Sequence, residues 1–241
     1  DAAVYIYGGG NDNGYCVIKN VTIANNEGMY GISYDGIDNA HDLNVINSCI
    51  WGNDQQNADA QIVFGHTPNN PSYQINVRNS LIEGGAGAIS YSLEGQNNAS
   101  VNWDSSNLTS YPYFNDQDNG DYSLSTYSPM IGAGVSSVTI GGITYEAPNT
   151  DIIGNSRPNP AGTSPDIGAY ESSESVADYN PHKYVATNGN NGNSGVITDP
   201  LLTIQYAIDQ AQNDDIIHVA AGTYVENINY SGKNISIIGE D

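Results

Sequence analysis

The sequence has few positive charges, few cysteines and no long apolar run. Its 241 residues include only five lysines and arginines against 27 aspartates and glutamates, which gives a formal net charge of −22. So acidic a surface repels nucleic acid and anionic membranes. It could attract Ca²⁺, which prefers hard oxygen ligands. The alternative is that the charge only keeps the protein soluble in a salty extracellular medium.

The cysteines and the apolar residues exclude further classes of protein. Cys16 and Cys49 have no metal-ligand spacing and make no disulfide framework, so we expect two free thiols. No apolar run approaches the ~20 residues that a membrane-spanning helix needs. Asp1 is not an initiator methionine, and no signal peptide is visible. We therefore expect a segment or processed product of a larger protein.

The first half of the chain repeats. Short bursts of isoleucine, valine, leucine and tyrosine alternate with turn residues, a composition typical of short strands. Three segments, CVIKNVTI, LNVINSCI and INVRNSLI, align on one shared asparagine: Asn20, Asn47 and Asn79. Apolar residues stand four and two positions before each asparagine and three positions after it. The last of these columns holds Ile23, Ile50 and Ile82.

The shared asparagine interrupts the alternation of buried and exposed positions. A bend there would explain the interruption, because asparagine tolerates left-handed backbone conformations. Stacked asparagines could also bond to one another as an amide ladder. The column before them is expected to face outward: Lys19, Ile46 and Arg78.

A second set of strand-like segments lies between the first. It aligns on Ile32, Ile62 and Ile89, which are 30 and 27 residues apart. Two strand-like segments in each period of this length are typical of a solenoid. We therefore predict an all-β chain of stacked coils.

These coils resemble the pectin-lyase-like right-handed parallel β-helix. Four further motifs sharpen the likeness: NGDYSL at 119–124, SPMIGAG at 128–134, DIIGNSRP at 151–158 and PDIGAYE at 165–171. Taken in order, they resemble the C-terminal end of the choice-of-anchor Q β-helix proteins of bacterial surfaces. The resemblance implies export by a Bacteroidota-like bacterium to the cell surface or the medium.

The second half resembles the start of the same kind of domain, in residues 183–189, 199–209 and 221–228. One helical face is apolar, with Thr203 as its N-cap: Ile204, Ala207, Ile208 and Ala211. Such a short helix would cap the open end of a solenoid.

The predicted organisation has three parts. Residues 1–171 form the C-terminal portion of a β-helix with its end cap, 172–181 are a linker, and 182–241 are an N-terminal cap and first coil. We expect copies of the chain, or adjacent β-helix domains, to join end to end.

Catalytic side chains are not evident. A lyase or hydrolase on this fold needs Ca²⁺-binding carboxylates with a basic residue, or paired carboxylates at a groove. Arg78 has no acidic cluster beside it, and the loop acids Asp35, Asp38 and Asp42 have no counterparts in the next coil. The histidines have no nucleophile or second ligand at a diagnostic spacing: His41, His66, His182 and His218. We expect His218, between two apolar strand residues, to face solvent.

Two weaker candidates for binding remain. Asp116, Asp118 and Asp121 surround a glycine as in a Ca²⁺ loop, but without the terminal glutamate, so a structural turn is the alternative. Several tyrosines lie on or beside the strands and could stack on sugars or merely cover the sheet: Tyr5, Tyr7, Tyr34, Tyr73 and Tyr91.

These patterns favour a structural or adhesive surface protein that forms a rigid rod or a filament. We expect no cofactor other than Ca²⁺. Its partners would be other copies, adjacent β-helix domains or a surface polysaccharide. The alternative is a secreted protein that binds polysaccharide or degrades it as a pectate lyase does.

Overall fold

Nearly all of the regular secondary structure in the described residues consists of short β-strands, and most of them pair in parallel. The computed structural model describes residues 2–9, 15–28, 30–37, 42–53, 60–64, 74–91, 100–178 and 180–240. The chain divides into two compact units, Asp1–Ala177 and Asp178–Asp241, and the division falls inside the predicted linker. No helix in the described ranges is long and apolar enough to cross a membrane.

The first unit contains fifteen strands within its described residues. Eleven of them belong to parallel sheets: β1 (Ala2–Gly9), β2 (Tyr15–Lys19), β3 (Thr22–Ala24), β4 (Tyr30–Ile37), β5 (Asp42–Ile46), β6 (Cys49–Trp51), β7 (Ile62–Phe64), β8 (Gln74–Arg78), β9 (Leu81–Ile82), β10 (Ile89–Tyr91) and β11 (Ser100–Trp103). Four more form antiparallel hairpins: β12 (Phe114–Asp116), β13 (Asp121–Leu124), β14 (Ser137–Ile140) and β15 (Ile143–Glu146). Single 3₁₀ turns lie at Gly85–Ala88 and Gln117–Asn119.

Successive strands join three parallel sheets in rotation. The sheets have the strand orders β1-β4-β7-β10, β2-β5-β8-β11 and β3-β6-β9, so each strand pairs with the strand three places later. In the third sheet Ile23 is the register partner of Ile50, and Ile50 that of Ile82. The predicted column is confirmed, because the sequence repeat and the register coincide.

Aliphatic side chains between the three sheets form the first core. Leu43, Ile50, Ile75 and Ile82 are fully buried in it. Burying a side chain of this size stabilises a fold by roughly 1.5–3 kcal/mol. The predicted columns centred on Ile32, Ile62 and Ile89 line the same core.

A second core lies on the other face of the third sheet. Cys49 and Leu81 point away from the first core and pack against Met130, Ile131 and Ile167. Residues that follow β11 therefore cover this face. The prediction that Ile46 faces solvent was wrong: it is 3% exposed.

The second unit contains β16 (His182–Val185), α1 (Ile204–Gln210), β17 (Ile216–Val219) and β18 (Ser236–Gly239). Its three strands form a parallel sheet in chain order. The helix begins as predicted, since the Thr203 side chain accepts a hydrogen bond from the Tyr206 amide. The predicted apolar face packs against Val185 and Ile217 in a third core.

Candidate functional site

The three shared asparagines do bend the chain. Asn20, Asn47 and Asn79 have φ values of 53°, 47° and 47°, in the left-handed region. Asparagine adopts this conformation more readily than other non-glycine residues. The bends carry the chain from the second sheet into the third.

Their side chains, however, do not bond to one another in the described structure. Asn47 Nδ2 donates to the Val135 carbonyl at 2.7 Å, and Asn47 Oδ1 accepts from the Val135 backbone amide at 3.0 Å. The Asn79 amide donates to the Ala133 carbonyl at 3.2 Å. The predicted ladder is therefore corrected, since these amides anchor the segment that follows the strands.

An amide ladder does exist, but in another column. Asn76 Nδ2 donates to Asn44 Oδ1 at 3.0 Å, and Asn102 Nδ2 donates to Asn76 Oδ1 at 3.1 Å. Asn44 in turn donates to the Tyr145 hydroxyl of the hairpin β14–β15 at 3.3 Å. The signal was present in the sequence, because Asn44 and Asn76 occupy one column of the repeat.

A buried charge network holds together the motifs DIIGNSRP and PDIGAYE. Arg157 Nε lies 2.9 Å from Glu171 Oε1, and both side chains are almost fully buried. Burial raises the pKa of Glu171 and of Asp166, and it lowers the pKa of Arg157. Backbone amides offset the burial of the acids: Gly132 and Ser172 donate to Asp166. The sequence motifs contain these residues, but no pattern in the sequence indicated that they form an ion pair.

Asp151 belongs to the same network. It accepts hydrogen bonds from the amides of Ile153, Asn155 and Glu171 and from the Asn155 side chain. Burial acts to raise the pKa of Asp151, but these hydrogen bonds outweigh it and hold the pKa below its ordinary value. The carboxylate thus fixes the turn at 151–155.

The calcium candidate lies at the turn between β12 and β13. Asp116 accepts from Asn119 Nδ2 at 2.8 Å, and Asp121 accepts from the Ser123 amide and hydroxyl. The Ser123 hydrogen bonds lower the pKa of Asp121. Within the described ranges, no group of three His, Cys, Asp or Glu side chains is arranged to hold a metal ion. Ca²⁺ binding by Asp116, Asp118 and Asp121 is untested and stays a prediction.

The histidine prediction needs correction. His218 does not simply face solvent: its Nε2 lies 2.9 Å from His182 Nδ1, and its Nδ1 lies 2.6 Å from Glu240 Oε1. Its ring also stacks on Tyr184, with centroids 4.6 Å apart. His41 and His66 lie outside the described residues. Strand pairing brings together side chains that are far apart in sequence, and the spacing alone could not reveal this.

The remaining predicted surface residues behave differently from one another. Tyr34 points inward and packs edge-on against Phe64, whereas Tyr5 is 58% exposed. Tyr73 and Asp38 lie outside the described residues. Both cysteines are free, and they contact different cores, Cys16 the first and Cys49 the second.

The free edge of β18 is the strongest candidate for an interaction site. The Ser236 and Glu240 amides bond to β17 and its flanks, through the carbonyls of Asp215 and Val219. Because alternate residues of a parallel strand bond to the same neighbour, the Ile237 and Gly239 amides face the free edge. Ile238 of β18 is itself exposed, and so are large apolar side chains of the segment between β17 and β18: Val225 (94%), Ile228 and Tyr230.

The first unit also has an incompletely covered end. β1, β2 and β3 are the edge strands of their three sheets in the described part of the chain. Val4 and Cys16 are only half-buried there, while their register partners Ile32 and Leu43 are fully buried. A further layer of strands would complete this core.

The comparisons with known proteins add no relatives. No family model matches the chain, and neither the curated proteins nor the solved structures contain a match to it.

Proposed function

We propose that the chain is a structural segment of a right-handed parallel β-helix protein of the pectin-lyase-like, choice-of-anchor Q type. In this proposal it acts at a bacterial cell surface or in the extracellular medium. Its role is to extend a rigid rod by joining other copies or adjacent β-helix domains end to end.

The rotation of strands through three sheets supports the β-helix. Each strand pairs with the strand three places later, so one circuit of the sheets adds one layer to the stack. The connections between parallel strands in one sheet are almost always right-handed. Continuous hydrogen bonding between layers makes such a solenoid stiff, as a rod requires.

The single observation that carries the assembly role is the free edge of β18. Its amides at Ile237 and Gly239 face outward, and the side chain of Ile238 in the same strand is exposed. An exposed strand edge is a template for pairing with another chain. In the first unit, β1, β2 and β3 are edge strands as well, and Val4 and Cys16 on them are only half-buried. Strands of a partner molecule could pair with these edges and cover these side chains. We infer that the β1 end of one copy adds to the β18 end of another.

A proline substitution at the edge tests this role. Gly239 has no neighbouring atom within 4 Å of an added Cβ, so a side chain fits there. Gly239→Pro removes one amide donor from the free edge, whereas Gly239→Ala retains it. We expect sedimentation velocity and electron microscopy to show end-to-end oligomers for the wild type and Gly239→Ala, and mainly monomers for Gly239→Pro.

The comparison should be made at high ionic strength, because the net charge of −22 opposes association and salt screens it. Thermal unfolding of each variant separates a lost interface from a lost fold. A wild-type chain that stays monomeric at every salt and protein concentration would contradict the proposal. Equal assembly by the proline and alanine variants would do so too.

A further inference from the structure

The second unit carries a pocket that the proposed assembly does not use. Its volume is about 360 Å³, and its walls include Tyr184, Ile197, Pro200, His218 and Glu240. Ile197 is 71% exposed, so an aliphatic surface stands open to solvent at the pocket. Apolar walls with a few fixed polar groups are typical of ligand sites.

The polar side of the pocket is held in place by a chain of hydrogen bonds. An ionised Glu240 carboxylate has no proton to donate, so it can only accept the hydrogen bond from His218 Nδ1. A neutral His218 therefore carries its proton on Nδ1. His218 Nε2 then accepts from His182 Nδ1. Tyr184 fixes the imidazole further by stacking on it at an angle of 12°.

This arrangement leaves a negative charge in the pocket. The basic side chain beside Glu240 is His218, and a neutral imidazole leaves the charge of the carboxylate uncompensated. Among the described residues, no lysine or arginine lines the pocket. A ligand that places a cation beside Glu240 would therefore pair with a carboxylate that no lysine or arginine of the pocket neutralises.

We propose that this pocket binds the side chain of a lysine from a partner protein. The ammonium group would contact Glu240 and the ring of Tyr184, since a cation is attracted to a carboxylate and to an aromatic face. The aliphatic stem would lie against Ile197 and Pro200, as lysine stems commonly do on apolar surfaces.

We assign the lysine to a different protein, because each lysine and arginine of this chain already has a partner within the chain. Lys19, Lys183 and Lys233 donate to backbone carbonyls. Arg78 and Arg157 lie beside acids and carbonyls. With these five cations held internally, the chain presents a strongly acidic surface that steers basic partners toward it.

Calorimetric titration of the full chain at pH 8 tests the pocket. The probe is Nα-acetyl-lysine methylamide, and its control is the same molecule with an acetylated ε-amine, which keeps the stem and removes the charge. We expect the charged probe to bind about two- to fivefold tighter, because solvent partly screens an ion pair with the half-exposed Glu240 carboxylate.

Two variants assign the binding to named side chains. Glu240→Gln still accepts from His218 but has no charge, so we expect about a two- to fivefold loss of affinity. Tyr184→Leu should also weaken binding, by removing the aromatic face. Glu174→Gln removes one charge from an exposed residue outside the pocket and should change nothing.

Equal binding of both probes, or unchanged binding by Glu240→Gln, would overturn the proposal. Binding of methyl glucoside in place of the lysine probe would do the same.

Discussion

Asparagine has different roles at equivalent positions of the repeat. Asn47 has a left-handed backbone and also holds Val135 through two hydrogen bonds. Asn20 has the same backbone, but its buried side-chain amide has no hydrogen-bond partner in the described structure. The bend is therefore common to both residues, while the anchoring of the following segment depends on Asn47.

Alanine substitution at these two positions should separate the two roles. We expect Asn47→Ala to lower the free energy of unfolding by about 3 kcal/mol, through left-handed strain and the unsatisfied Val135 groups. Asn20→Ala should cost about 1 kcal/mol, since it introduces strain alone. Urea denaturation measures both values. Equal losses at the two positions would contradict the anchoring role.

Asp151 should make stability depend on pH. Its pKa is lowered in the folded chain, so its contribution is present above the ordinary aspartate pKa of about 3.9 and is lost as the pH falls through the folded value. Asp151→Asn places an amide against two donors and should cost about 2–3 kcal/mol at pH 7.

That cost should shrink as the pH falls below about 4, because the wild type then loses the same carboxylate. Urea midpoints of the two proteins, compared at pH 7 and pH 3.5, measure the change. The comparison cancels the opposite effect of Asp166 and Glu171, whose pKa values burial raises. A cost independent of pH would show that Asp151 does not act as a carboxylate.

At the scale of single residues, the sequence could predict the backbone bends at the asparagines but not the hydrogen-bond partners of their side chains. Left-handed asparagines follow from a break in alternation that recurs at Asn20, Asn47 and Asn79. Their hydrogen bonds depend on Val135 and Ala133, which lie 88 and 54 residues away from Asn47 and Asn79. No local pattern encodes contacts across such a separation.

The elements of the parallel sheets could be predicted, because period and register coincide. The covering layer could not. Met130, Ile131 and Ile167 belong to no repeat, yet they bury the outer face of the third sheet around Cys49. The sequence pattern predicts that one face of the third sheet is exposed, but this layer covers it, so both faces of the sheet are buried.

The reactivity of Cys49 reports whether this layer is closed. Burial raises the pKa of Cys49, and its side chain is fully buried, so iodoacetamide should modify it only when the layer opens. Cys16 is partly exposed and should react at least about tenfold faster. Mass spectrometry of labelled peptides measures both rates.

Met130→Ala should accelerate labelling of Cys49 by tenfold or more, since it creates a cavity that costs about 2–5 kcal/mol. Ile143→Ala, at an exposed position of β15, is the matched control and should leave the rate unchanged. Rapid labelling of Cys49 in the wild type would show that residues after β11 do not cover the third sheet.

At the scale of the whole molecule, the described structure has edge strands to which a further strand could pair, among them β1–β3 in the first unit and β18 in the second. The repeat predicted the parallel strand pairing, and the short helix followed from Thr203 and its apolar face. Neither pattern predicted the His182–His218–Glu240 chain, because sheet register brings these residues together only in the folded unit.

The parallel register of the layers is the claim on which the rest depends, and a designed cross-link tests it most directly. Thr22 is the register partner of Cys49. Neighbouring strands lie about 4.8 Å apart, a distance that a disulfide can span. In a Cys16→Ser background, we expect Thr22→Cys to form a disulfide with Cys49 on oxidative refolding. Ile23→Cys, which faces the opposite core, should not. Efficient cross-linking of Ile23→Cys with none for Thr22→Cys would contradict this register.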